Sequence, residues 1–154
     1  MSTVITLSTS ADPAVEAILV RHHSAMSAAT PAESCHVMTS DALRASGARV
    51  YALRDGSGAV QGVGALKPFG QNAVELKSMH VAAEARGKGF GKSLLNHLLS
   101  EARAMGMTAA YLETGSEPGF APARALYEAA GFEYGPPFGD YVPDRLSVFM
   151  SRRL

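Results

Sequence analysis

Residues 86–93 read RGKGFGKS, with glycine at 87, 89 and 91 and with Arg86, Lys88 and Lys92 interleaved. An alternating apolar stretch precedes this turn and a leucine-spaced stretch follows it. Glycine lets backbone N–H groups approach a ligand closely, and a helix that starts at the last glycine points its positive dipole end at the same spot. Strand, glycine turn and helix start together make a seat for phosphate. The phosphates of a nucleoside triphosphate, the pyrophosphate of a dinucleotide and the pyrophosphate of coenzyme A all carry the required group. Spacing and surroundings must choose among them.

The rest of the chain limits the choice. Its 154 residues suit one domain spanning 1–154 with a substantial core. Fourteen basic against fourteen acidic side chains give no net charge, which argues against general nucleic-acid affinity and makes anion binding a local matter. The single cysteine, Cys35, allows no intramolecular disulfide and suits a reducing compartment. The opening MSTVITLSTS has neither a basic region nor an apolar run of signal-peptide length, and no later run is long enough to cross a bilayer. The expectation is a cytoplasmic protein without membrane contact.

Periodicity sets the order of elements. TVITLS alternates as a strand, and a helix follows with Asp12 as cap and Pro13 in its first turn. A weaker helix is expected from about Pro31 to Gly47, with a break around Thr39 and Ser40. ARVYALRD, AVQGVGALKP and NAVELKSMHV then read as three successive strands of an antiparallel meander. The leucine-spaced helix runs from Gly91 to Gly106, MTAAYLETG is a strand, APARALYEAAGF a short helix stopped by Gly131, and LSVFMSRRL a last strand.

This plan removes two of the three ligands. A P-loop needs glycine where Arg86 stands, and its strand would be a continuous apolar run instead of an alternating one. Gly87, Gly89 and Gly91 give G-x-G-x-G, not G-x-G-x-x-G, and the chain does not open with the βαβ unit of a dinucleotide fold. Coenzyme A is left.

HVAAEARGKGFGKSLLNHLL resembles the central motif of the GNAT acetyltransferase superfamily, R/Q-x-x-G-x-G/A, here Arg86, Gly89 and Gly91. ARALYEAAGFEYG resembles the family's next motif, L-Y-E followed by G-F, in the right order and at a fitting separation. The resemblance covers essentially the whole chain. It implies an α/β (α+β) fold: a central mixed, mostly antiparallel sheet, splayed between strands 4 and 5 and flanked by about four helices. It further implies acetyl-CoA as co-substrate. The pantetheine arm would lie along Met79, His80 and Val81, and the pyrophosphate at the backbone of Arg86, Gly87, Lys88, Gly89, Phe90, Gly91 and Lys92. Each of the three cations reads equally well as a solvated turn residue or a direct contact.

Acetyl transfer to an amine needs a group that takes the ammonium proton and one that protonates the departing thiolate. By resemblance, Tyr127 of the L-Y-E motif is the acid, against the alternative of a core tyrosine with a satisfied hydroxyl. Glu75, six residues before Val81, stands where the histone acetyltransferase branch carries its base, and it also reads as the ion-pair partner of Lys77. Strand alternation puts Glu75, Lys77, Met79 and Val81 on one face. Glu113 and His36 are acceptor-side candidates. So is Phe120, which occupies the place where many members carry a cofactor-touching asparagine. Tyr141 and Asp140 are further candidates. Adjacent His22 and His23 point different ways along a helix, and no Cys/His spacing of metal type exists, so no metal is expected. The expected protein is an N-acetyltransferase acting on a primary amine of a small molecule or amino-acid-like acceptor by direct transfer in a ternary complex. A protein lysine or N-terminal acetyltransferase and a non-catalytic coenzyme A-binding domain are the alternatives, and family analogy suggests a homodimer through the C-terminal strands.

Overall fold

The structure, a computed structural model, describes residues 2–8 and 12–154. Its strands are β1 (Val4–Ser8), β2 (Arg49–Arg54), β3 (Val60–Phe69), β4 (Ala73–Val81), β5 (Ala109–Gly115), β6 (Glu133–Gly135) and β7 (Ser147–Arg153). The helices are α1 (Pro13–Ala29), α2 (Ser40–Ala45), α3 (Phe90–Ala104) and α4 (Ala121–Ala129). The strands form one sheet in the order β1-β2-β3-β4-β5-β7-β6, antiparallel throughout except between β4 and β5. The mixed, mostly antiparallel sheet and the three-strand meander agree with the expectation.

Local chemistry explains the helix starts. Asp12 caps α1 by accepting from the N–H groups of Ala14 and Val15 (3.1 and 3.5 Å), while its other oxygen pairs with Arg54 of β2. The second helix is shorter than the sequence suggests. Only a single 3₁₀ turn forms at Ala32–Ser34, and α2 begins at Ser40 because Thr39 caps it through Ala42 N–H (3.2 Å). The expected break at Thr39 and Ser40 is therefore a true helix start, and the chain before it is free to wall a cavity. Strand β6 was not anticipated, since all three of its residues are exposed and leave no alternation to read.

Helices cover both faces of the sheet. Leu94, Leu95, Leu98 and Leu99 of α3 are buried against β3 and β4. The close approach depends on glycine: a Cβ at Gly64 would come within 2.7 Å of Met79 Sδ and 2.8 Å of Leu98 Cδ1. Val15, Ile18 and Leu19 of α1 are buried on the opposite face, where Arg44 of α2 pairs with Glu16 at 2.8 Å. Among the described residues, no helix is long and apolar enough to cross a membrane.

Candidate active site

The parallel ladder of β4 and β5 is short. Ala73, Val74 and Glu75 face Ala109, Ala110 and Tyr111, and the register then ends, while β4 stays with β3 as far as Val81 and β5 with β7 as far as Gly115. The two strands part after Glu75, and the edge of β4 beyond it has no ladder partner on that side. Unpaired strand edges offer hydrogen bonds to an added extended chain. A cavity of about 760 Å³ opens at the parting.

A bulge re-aims β4 along this cavity. Lys77 faces Ala65 and His80 faces Val63, so β4 spends three residues where β3 spends two, and Ser78 takes φ 55°. The extra residue reverses the alternation. Glu75, Lys77 and His80 share the α1 face, whereas Met79 and Val81 turn to the α3 face, beside Gly64 and Gly62. The expectation that Glu75, Lys77, Met79 and Val81 lie on one face is thus corrected by a bulge that pattern reading could not see.

At the cavity's outer end the glycine turn meets α3. Gly87 and Gly89 have φ of 82° and 80°, which glycine adopts at little cost. Gly89 is the N-cap of α3 and makes no side-chain capping bond. The first helical acceptor, Gly89 O, is taken by Ser93 N–H (3.1 Å), so the N–H groups of Phe90, Gly91 and Lys92 lie ahead of the helical ladder. The Phe90 ring is buried and anchors the helix start. Uncapped donors at a dipole's positive end fit a pyrophosphate. Arg86 Nε donates to Val81 O (3.3 Å), which folds the guanidinium back on the strand end.

The inner end carries the ionisable groups. Tyr127 of α4 is buried, lines the cavity and has no hydroxyl partner among the described residues. Burial first, and then the Glu113 charge, raise its proton affinity well above the tyrosine range. Glu75 is also buried, and its Oε2 accepts from Tyr141 Oη at 2.5 Å and from Lys77 Nζ at 3.2 Å. Lys77 Nζ lies 3.1 Å from Tyr141 Oη as well, closing a triangle. Burial, followed by the bond to Glu75, pushes the Tyr141 phenol up. Glu113 of β5 accepts from Ser147 Oγ (2.8 Å), and burial raises its carboxyl above the usual range.

His36 stands edge-on to Tyr141, ring centroids 5.0 Å apart, with Nε2 buried and unpartnered among the described residues. The Phe120 ring lies against Gly115 at the end of β5. Ser34 Oγ donates to Asp144 Oδ2 at 2.6 Å, tying the α1–α2 connection to the β6–β7 connection.

The cavity wall thus includes Glu75, Met79, His80, Val81, Arg86, Gly87, Gly89, Phe90, Gly91, Lys92, His36, Glu113, Phe120, Tyr127 and Tyr141, with Lys88 and Asp140 outside it. Sequence reasoning missed the partner of His22. Its Nδ1 lies 3.2 Å from His80 Nδ1, and the pair is 58 residues apart, beyond any local pattern. Burial, then the His80 and His23 charges, lower His22 to about 4; burial also lowers His80. No group of three or more His, Cys, Asp or Glu among the described residues is placed to hold a metal ion.

Known proteins share this architecture. Residues 16–132 match the family model of the acetyltransferase (GNAT) family. An uncharacterised N-acetyltransferase of Bacillus subtilis is 38% identical over 140 residues, covering 91% of this chain and 92% of the relative. The crystal structure of an acyl-CoA N-acyltransferase of Klebsiella pneumoniae superposes with a TM-score of 0.81 at 26% identity, over 99% of this chain and 97% of that one. A GNAT family acetyltransferase of Elizabethkingia anophelis with acetyl-CoA bound superposes with a TM-score of 0.73 at 17% identity, over 99% and 98%. Motif order, a sheet parted between β4 and β5, and matches along nearly the whole length have one meaning: the chain belongs to the GNAT family of N-acetyltransferases.

Proposed function

We propose that the protein transfers an acetyl group from acetyl-CoA directly to the primary amine of a small acceptor, with both substrates bound together. One observation carries this reading: a continuous cavity joins the uncapped start of α3, the free edge of β4 and the cluster of Tyr127, Glu75 and Glu113. The N–H groups of Phe90, Gly91 and Lys92 would hold the pyrophosphate, and Met79, His80 and Val81 would line the pantetheine arm. Acetyl-CoA supplies an activated acetyl thioester. Tyr127, kept protonated by burial, is the proton donor at sulfur, and the carboxylates of Glu75 and Glu113 are the groups that face the acceptor's ammonium.

A small acceptor is favoured over a protein lysine because the groups it must reach, Glu75 and Tyr127, are buried in the cavity wall. Isothermal titration with acetyl-CoA tests the reading, beside Gly89→Asp. Aspartate enters the φ 80° of this position at some cost, so the variant's fold is checked first, and its carboxylate lies near the donors meant for pyrophosphate. Binding by the wild type, lost in the folded variant, is expected together with thiol release in an amine panel. Absence of binding by the wild type would withdraw the acetyltransferase reading, and binding without turnover on any amine would leave a coenzyme A-binding domain.

A further inference from the structure

The two carboxylates at the acceptor end have unlike surroundings. Glu75 and Lys77 are 8% and 10% exposed in their side chains, and Glu75 Oε2 already accepts from Lys77 Nζ and Tyr141 Oη. That oxygen is therefore occupied by two fixed neighbours, one of them a lysine. Glu113, across the parting on β5, has a hydroxyl as its one hydrogen-bond partner among the described residues, Ser147 Oγ on Oε2. Among the described residues no cation forms an ion pair with it.

Charges around Glu113 come from every neighbouring element. Glu75 and Lys77 face it from β4 and His36 from the α1–α2 connection, while Tyr127 of α4 feels its charge directly. Tyr141 of the β6–β7 connection does so too. Two carboxylates therefore share this end with one lysine, and the lysine is taken. A cationic ligand would give Glu113 the close ion-pair partner that the described residues do not supply. Burial also lifts the Glu113 carboxyl, moving it toward the range in which a carboxylate can accept a proton from an ammonium.

We propose that Glu113 docks the acceptor's ammonium and takes its proton, that Glu75, Lys77 and Tyr141 form a fixed positioning unit, and that the acceptor is a primary amine with no carboxylate or phosphate of its own. This rests on the acetyltransferase reading above. The balance is complete with the groups named. Nitrogen gives one proton to Glu113 and forms a bond to the acetyl carbon as the carbon–sulfur bond breaks with its electron pair on sulfur. Sulfur takes the Tyr127 proton, nitrogen's second proton restores the tyrosine, and Glu113 passes its proton to solvent. One proton is released per turnover. An anionic acceptor would bring a third negative group against the single paired lysine.

The test measures thiol release from acetyl-CoA with matched amines, tyramine against tyrosine and cadaverine against lysine, in the wild type, Glu113→Gln, Glu113→Asp and Glu75→Gln. The decarboxylated member of each pair should have the higher kcat/KM by roughly tenfold or more, one ion-pair's worth of discrimination. Glu113→Gln should lower kcat/KM by about 100-fold or more and abolish its acidic limb, with acetyl-CoA affinity unchanged by titration. Glu113→Asp should keep the limb at reduced rate, and Glu75→Gln should keep the limb while raising the acceptor KM. An acidic limb that survives Glu113→Gln, one that vanishes in Glu75→Gln, or preference for the amino acids would overturn the inference alone. A wild type that binds no acetyl-CoA or turns over no amine overturns it together with the reading beneath it.

Discussion

Gly115 is the residue whose replacement the packing most sharply forbids. A Cβ built there lies 2.2 Å from Phe120 Cδ2 and 2.5 Å from both Cγ and Cε2, so the ring must retreat by about 1.2 Å to reach the 3.4 Å at which ordinary contact begins. The cause is steric and not conformational, since Gly115 is absent from the glycines with positive φ. Overpacking of this kind costs about 1–3 kcal/mol. The stiffer unfolded chain of alanine returns about 0.4–1 kcal/mol. Gly115→Ala should therefore lose about 1–2 kcal/mol by urea unfolding, a fall in Tm of roughly 2–8 °C for a chain of this size. In a Phe120→Ala background the clash has no partner, and Gly115→Ala should become neutral or mildly stabilising. A double-mutant cycle reads the difference directly. An equal cost of Gly115→Ala in both backgrounds would refute the argument that Phe120 is what the glycine accommodates.

Three further outcomes follow from the same structure. His22 holds a pKa of about 4 against an ordinary 6.5, so the unfolded chain binds its proton first; stability present above pH 6.5 is lost as pH falls toward 4. Full loss amounts to about 3 kcal/mol, and His22→Gln should flatten this limb in unfolding curves taken between those pH values. Leu98→Ala, at a fully buried site beside Gly64, should cost about 2–5 kcal/mol by the same method. Ser34→Ala removes the tie to Asp144, so the acceptor KM should rise while acetyl-CoA affinity by titration stays constant.

Most of the frame was legible because its causes are local. Leucine spacing gave α3, Asp12 and Pro13 gave the start of α1, and the glycine turn placed the anion seat at a helix start. One part of the cavity wall was legible too, through the two motifs that hold Arg86, Gly89, Gly91 and Tyr127. What escaped reading depends on tertiary contact. The bulge at Ser78 follows from the register against β3, and no residue type near it announces a positive φ. The truncated second helix reflects caps and a tie to Asp144 from 110 residues away. The pairing of His22 with His80 needed α1 to be laid across β4. The environments of Glu75 and Glu113 differ only because Lys77 and Tyr141 converge on one of them.

The three-rung junction of β4 and β5 has a mechanical consequence. It makes the sheet two leaves on a short hinge, β1 to β4 on one side and β5, β7 and β6 on the other. Hydrogen bonds hold the hinge end closed, where Thr108 N–H reaches Asn72 O at 2.7 Å, and the far ends of the leaves have no rungs between them. A guest lying in the gap supplies those rungs and splints the leaves together. Occupancy should then be visible far from any chemistry, as slowed amide exchange along the open stretch of β4 from Leu76 to Val81 and as sharper, more cooperative unfolding of the two leaves as one.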